Sequence, residues 1–262
     1  MLDSLLKPYY EDSASGIVIY HGDCREILPQ LQAVDLVLTD PPYGIGEAAG
    51  KNTSRCGLAV PTDYGMAAWD DKRIDASLIL LTCGAGNHVI LFGGNYYSDI
   101  LSQNTAWLVW DKDNSGDFAD CELAWTNLPG AVRRLRWMWN GMLKEKPEAR
   151  WHPTQKPAAL LHWCIRQADK KSKQTMRTII DPFMGSGTTL VAAQSLGRKC
   201  IGIEIELKYC DIAIRRLQQE ILPLELKPIE KRERDIEPSM LTGMTPATES
   251  DQVFIEYNCQ TP

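Results

Sequence analysis

The chain has 262 residues, of which 44% are hydrophobic and 24% charged, and it carries a formal net charge of −6 at pH 7. That length suits one large α/β domain or a domain with a small insertion, and the composition is that of an ordinary globular protein. No run approaches the roughly 18 apolar residues of a membrane span. The first ten residues lack the basic start and long apolar core of a signal peptide, so a cytoplasmic location is expected.

The predicted elements follow in chain order. Residues 1–15 are polar and Ser-rich. Ile17 to Tyr20 is β-branched and aromatic and reads as a strand. It ends at His21-Gly22-Asp23-Cys24, and Arg25 to Gln32 then places Ile27, Leu28 and Leu31 on one helical face. Val34 to Thr39 is the next strand, and strand, short helix, strand indicates a βαβ unit. Residues 47–71 have little periodicity, and a loop of that length is usually functional or mobile.

Asp75 to Gly84 reads as a helix, and His88 to Phe92 as a fully apolar strand closed by Gly93-Gly94. Tyr96 to Ser102 is a short helix, and Ala106 to Trp110 and Cys121 to Trp125 are strands. Asn127 to Trp151 is irregular, basic and aromatic. Thr154 or Gln155 would cap a helix running to about Lys170, with Pro157 in its first turn. Thr178 to Ile180 is a strand. The loop after it opens a helix that runs to about Leu196 and is ended by Gly197. Cys200 to Ile205 is the last strand, and Leu207 to about Leu222 the last helix. From Pro223 the chain is charged and then rich in Ser, Thr and Pro, the composition of a flexible tail. Seven strands, several fully apolar, alternate with helices, which implies an α/β fold with a mostly parallel sheet covered on both faces. The expected organisation is one domain over residues 1–221 and a tail over 222–262.

Two turns carry the chemistry. The first is Asp40-Pro41-Pro42-Tyr43, which stops an apolar strand abruptly. Both prolines lack the N–H a strand needs, and Pro41 pushes Asp40 out of the helical region. A rigid turn at a strand end then presents a carboxylate, prolyl carbonyls and an aromatic ring, which suits a planar group carrying an amine, such as a nucleobase. An Asp-Pro turn is also a common device for closing a strand. The second turn, Asp181-Pro182-Phe183-Met184-Gly185-Ser186-Gly187-Thr188-Thr189, joins a strand to a helix whose N-terminal N–H groups are open to a carboxylate or phosphate. A phosphate-binding P-loop needs Lys before Ser/Thr, and Thr188 stands there instead. Glu204 ends the next strand, 17 positions after Gly187, where an acid commonly takes the ribose hydroxyls of an adenosine ligand. An adenosine with a charged arm that is not a pyrophosphate fits, and S-adenosylmethionine matches, with Asp181 on its ammonium.

The eight cysteines form neither Cys-x-x-Cys nor a zinc-finger spacing with His. They read as reduced thiols, and no metal is expected. Net acidity weighs weakly against nucleic acid, but the distribution matters more. From Arg133 to Lys173 there are eleven basic residues against three acidic ones. That segment is either a phosphate-binding face or a solvated surface.

Together the two turns resemble those of the amino-group DNA methyltransferases, which modify the exocyclic amine of adenine or cytosine. The order here is Asp40 turn, basic segment, Asp181 loop. It resembles the permuted beta group of that family, as do His152-Pro153-Thr154-Gln155-Lys156-Pro157 and Gly22-Asp23-Cys24 followed by Val34-Asp35-Leu36-Val37. The resemblance covers roughly residues 15–220 and implies a Rossmann-like sheet. It implies that Asp40 and the Pro41 carbonyl accept hydrogen bonds from the target amine within the Asp40, Pro41, Pro42, Tyr43 turn, and that Tyr43 stacks on a flipped base. It places Asp40, Asp181, Pro182, Phe183, Gly185, Ser186, Gly187 and Thr188 against S-adenosylmethionine. Glu204 then takes its ribose, Asp23 or Cys24 its adenine, and Lys156, otherwise a helix-start lysine in solvent, its methionine end. It makes 127–151 a short target-recognition segment, with Arg133, Arg134 and Arg136 on double-stranded DNA and Trp137 and Trp139 either there or in the core. Asp rather than Ser at position 40 favours adenine over cytosine. A homodimer is possible by the same analogy. A competing reading is a non-catalytic DNA-binding protein on this fold.

Overall fold

Alternation along the strands decides which helices cover which face. A computed structural model describes residues 6–44, 73–113, 119–139, 151–152 and 155–219, all within one unit spanning Met1–Pro223. Nine strands form a single sheet: β1 (Tyr10–Asp12), β2 (Ile17–His21), β3 (Val34–Thr39), β4 (Gly86–Phe92), β5 (Leu108–Asp111), β6 (Cys121–Thr126), β7 (Arg133–Arg136), β8 (Thr178–Asp181) and β9 (Lys199–Glu204). Their order is β1-β2-β9-β8-β3-β4-β6-β5-β7. The five strands β2, β9, β8, β3 and β4 run parallel, whereas β6 is antiparallel to both β4 and β5.

Leu36, Leu38, Ile90 and Phe92 point to one face, where they meet α3 (Ala158–Ser172), α4 (Thr188–Ser195) and α5 (Leu207–Gln219). Val37, Val89, Leu91 and Ile180 point to the other, against α1 (Cys24–Ile27) and α2 (Ala76–Gly84). Strands covered on both sides have no polar face, which is why they read as continuous apolar runs. Each fully buried Leu or Ile contributes about 1.5–3 kcal/mol of burial.

One polar residue sets the register on which the site depends. The Asp35 carboxylate accepts hydrogen bonds from the Arg177 N–H (2.9 Å), the Thr178 N–H (2.9 Å) and the Thr178 hydroxyl (3.0 Å). Those bonds fasten the start of β8 to the start of β3, with Val37 opposite Ile180. The two strands therefore end side by side.

Several expectations are corrected. The sheet has nine strands rather than seven. β1 is three residues long and polar, and pairs with β2 around a turn at Gly16. β7 lies inside the stretch expected to be irregular. Its three arginines hide the strand pattern, and only Leu135 packs on the core. The short helix expected at Tyr96–Ser102 is a 3-10 turn over Gly94–Tyr97. Helix α3 has Pro157 at its N-cap, with no side-chain cap. Its φ of −66° and ψ of 141° serve as the entry conformation, and Gln155 is used elsewhere. Thr154, residues 47–71, residues 140–150 and the tail lie outside the described residues. Among the described residues no helix is long and apolar enough to cross a membrane.

Candidate active site

Parallel strands deliver their C-terminal ends to one edge of the sheet, and ligands of open α/β sheets bind in the crevice there. Here that edge holds a cavity of about 500 Å³, lined by residues from the ends of β2, β9, β8, β3 and β4. Asp23, Glu204, Asp181, Asp40 and Phe92 come one from each.

On the β8 side, Asp181 is buried and held in place from three directions. Its Oδ1 accepts from the Thr39 hydroxyl (2.7 Å) and the Phe183 N–H (3.1 Å), and its Oδ2 from the Thr189 hydroxyl (2.6 Å). The Thr39 bond ties the second turn directly to the residue before the first. Burial outweighs these bonds and pushes the Asp181 carboxyl up to about 6. Glu204 accepts from the Gly185 N–H (2.9 Å) and the Glu206 N–H (2.8 Å), and burial pushes it up to about 7. Gly187 caps α4 with φ +77°, and a Cβ there would lie 2.6 Å from the Ala213 Cβ of α5. Only glycine lets α5 pack so closely against this loop.

Asp23 caps α1 by accepting from the Arg25 N–H at 2.8 Å. Its neighbour Cys24 is buried, and its thiol is pushed up to about 12, so it stays neutral. Pro182, Phe183, Ser186 and Thr188 line the same cavity.

On the β3 side, the Asp40 carboxylate accepts from the Tyr43 hydroxyl and from the Lys156 ammonium. The Tyr43 ring stacks on Tyr96, with centroids 4.8 Å apart and planes 16° apart. The Tyr97 hydroxyl donates to the Pro42 carbonyl. Lys156 is only 7% exposed, which removes the solvent reading. Its ammonium lies 3.2 Å from Glu122 and over the Phe92 ring at 4.7 Å. Burial opposes its charge, but Asp40 and Glu122 outweigh that and raise its pKa.

The arginines lie away from this cavity, on β7 at the sheet's far edge. Arg133, Arg134 and Arg136 are exposed; Arg134 pairs with Asp111 at 3.5 Å and Arg136 with Asp113. Trp139 is core, and Trp137 packs against it.

Sequence reasoning missed several residues of the site. Gln155 accepts from the Trp151 N–H (2.8 Å) and the Ser186 hydroxyl (3.3 Å). Arg216 is buried on α5 and donates to the Ser186 carbonyl (2.7 Å) and the Thr188 hydroxyl (3.0 Å), clamping the loop from below. Glu122, Tyr96 and Tyr97 were also missed. The available signal was a lone charge inside an otherwise apolar strand, as at Glu122, or a basic residue on the inner stripe of an amphipathic helix, as at Arg216.

The family model described as DNA methylase matches residues 94–215. Type II methyltransferase M2.LlaDCHI of Lactococcus lactis subsp. cremoris is 27% identical, over 82% of this chain and 93% of its own. Type II methyltransferase M.ScaI of Streptomyces caespitosus is 28% identical, over 83% of this chain and 86% of its own. Over these stretches the chain is similar to DNA methyltransferases. A shorter stretch, 33% of this chain, is 40% identical to Type II methyltransferase M.HinfI of Haemophilus influenzae. Among solved structures, the M1.HpyAVI–SAM complex is 27% identical, with a TM-score of 0.49 over 77% of this chain and 100% of that one.

Proposed function

We propose that this protein transfers a methyl group from S-adenosylmethionine to the exocyclic amine of a flipped adenine in a specific sequence of double-stranded DNA. The observation that carries the reading is the junction of the two turns. Paired strands β3 and β8 end together, and the Thr39–Asp181 bond joins an amine-acceptor turn to an adenosine-type loop around one cavity.

The cavity wall suits that cofactor. Among the described residues, neither Asp181 nor Glu204 has a cationic partner, although both line the cavity. A carboxylate in that situation favours a cation or a pair of hydroxyl donors. Asp181 takes the ammonium and Glu204 the ribose diol, and the open N–H groups at the start of α4 take the carboxylate. Asp23 or Cys24 edges the adenine, and Lys156 lies toward the methionine end. S-adenosylmethionine supplies a methyl group on a positively charged sulfur.

The chain's own residues orient the acceptor. The Asp40 carboxylate and the Pro41 carbonyl accept from the target amine and turn its lone pair out of conjugation with the ring. Pro42 and Tyr43 complete the turn, and Tyr43 stacks on the flipped base. Positioning and acceptor electrostatics supply most of the acceleration. No covalent enzyme intermediate is needed, in keeping with buried, neutral thiols at Cys24, Cys164 and Cys200. In the proposed division, residues 1–221 are the catalytic domain, 127–151 the target-recognition segment with Arg133, Arg134 and Arg136 on phosphates or guanine edges, and 222–262 a tail. Asp at position 40 supports adenine; N4 of cytosine is the second reading, since both bases offer an amine to the same acceptors.

The test is incubation with methyl-labelled S-adenosylmethionine and duplex DNA, followed by nucleoside analysis. Label in 6-methyladenine is expected. Label only in 4-methylcytosine moves the target to cytosine, and label only in RNA or protein removes DNA. Asp40→Ala should lower transfer by about a thousandfold or more while cofactor binding stays within about threefold. An active Asp40→Ala contradicts the mechanism, and DNA retention without transfer by the unaltered chain supports a binding protein instead.

A further inference from the structure

Glu122 is a half-buried charged residue beside the Asp40 turn that the transfer scheme leaves without a role. It stands on β6, the strand at which the sheet turns antiparallel. Its Oε1 lies 2.6 Å from the Lys112 ammonium, and its Oε2 lies 3.2 Å from the Lys156 ammonium and is shielded from solvent. Four charges therefore alternate in a row that sums to zero: Lys112, Glu122, Lys156, Asp40.

That row places two demands on one carboxylate. The target amine needs the Asp40 oxygens, and Lys156 already holds one of them. A buried ammonium in contact with a carboxylate outcompetes a neutral amine, because its Coulomb attraction is weakly screened there. If Asp40 were its only anion, Lys156 would stay on it. If Lys156 were absent, burial would favour the protonated Asp40, which accepts poorly. A second carboxylate within reach of the same ammonium resolves both demands.

We propose that Glu122 is a positioning residue of the transfer site: it takes a share of the Lys156 ammonium, freeing Asp40 for the target amine while keeping the cation close. This rests on the methyl-transfer reading above. No bond forms or breaks; the ammonium shifts between two carboxylates by rotation of its own side chain. Lys112 fixes Glu122 from the outer side. Among the described residues, the other groups facing Asp40 are the Tyr43 hydroxyl in its own turn, the Tyr97 hydroxyl through Pro42, and Asp181 on β8. Burial raises the Asp40 pKa, Lys156 lowers it and Glu122 raises it.

Opposite effects of two substitutions test this. The full chain is assayed with labelled S-adenosylmethionine and unmethylated phage lambda DNA as methyl acceptor. Glu122→Gln should lower kcat about tenfold or more, leave the cofactor Kd within about twofold, and move the acid limb of the kcat/KM profile to lower pH. Lys112→Met leaves Glu122 drawing harder on Lys156, so its acid limb should move to higher pH. A Glu122→Gln variant with unaltered kcat and an unmoved acid limb overturns the proposal. So do shifts of both limbs in the same direction, or a loss confined to cofactor affinity and Tm. If Glu122→Gln does not fold, an acid limb unmoved in Lys112→Met overturns it instead. Absence of any transfer by the unaltered chain overturns the methyl-transfer reading, and this proposal with it.

Discussion

Asp181 and Glu204 are carboxylates whose burial outweighs the hydrogen bonds they accept, so both hold protons more tightly than in the unfolded chain. Burial pushes them up to about 6 and about 7. Between the ordinary carboxylate range and those values the folded state binds more protons than the unfolded one. The ligand-free protein therefore loses stability as pH rises through that window. Ligand binding has the opposite sign, because a cation and a diol favour the ionised carboxylates. S-adenosylmethionine affinity should rise as pH climbs from about 5.5 to 7.5, by up to roughly tenfold per unit for each group still protonated, and then level off. Calorimetric Kd values across that range check this, and Asp181→Asn should leave only the Glu204 portion of the dependence. A Kd independent of pH would place the cofactor's charged groups elsewhere. At this scale Asp40, Asp181 and Glu204 were legible because each ends a strand beside Pro, Gly or a turn. Lys156 was legible as a motif residue but not as a buried one. Its setting depends on Glu122, which shares no local pattern with it.

The strand ends are rigid elements that aim these groups, and Gly93 shows how little room they leave. It closes β4 with φ +66°, and a Cβ there would lie 2.0 Å from the Tyr43 ring. Gly93→Ala should cost about 1 kcal/mol in backbone strain. It should also push Tyr43 off its stack on Tyr96. Transfer to DNA is expected to fall at least about tenfold, with cofactor Kd unchanged, since Tyr43 does not line the cavity proposed for the cofactor. Parallel loss of cofactor binding would mean that the two halves of the site are not separable. The parallel strands and their helices were legible from apolar runs and period. Strand β7 and the cap of α3 were not. Three arginines in four residues obscure an edge strand, and Pro157 enters its helix by fixed backbone angles rather than by a capping side chain.

For the molecule as a whole, charge distribution matters more than its sum. A protein of net charge −6 binds DNA only where basic residues are gathered, and the salt dependence reports how many touch phosphate. Arg133, Arg134 and Arg136 sit exposed on the outermost strand. Replacing all three by Gln should lower the slope of log K against log salt by up to about 3, read from fluorescence anisotropy with a duplex of mixed sequence. An unchanged slope would place the DNA on another face. The same scale divides what was knowable in advance. The sequence alone determined the two turns, the strands that carry them and the order of the functional segments, because prolines, glycines and apolar periodicity act over a few residues. Only the tertiary structure decided what meets the Asp40 turn. Lys156 reaches Asp40 across 116 positions of chain. Glu122 reaches Lys156 only because the sheet reverses at β6. The turn proposed to offer its carboxylate to a base thus has that carboxylate held by a lysine, and the holding is set by strand order, which no local pattern encodes.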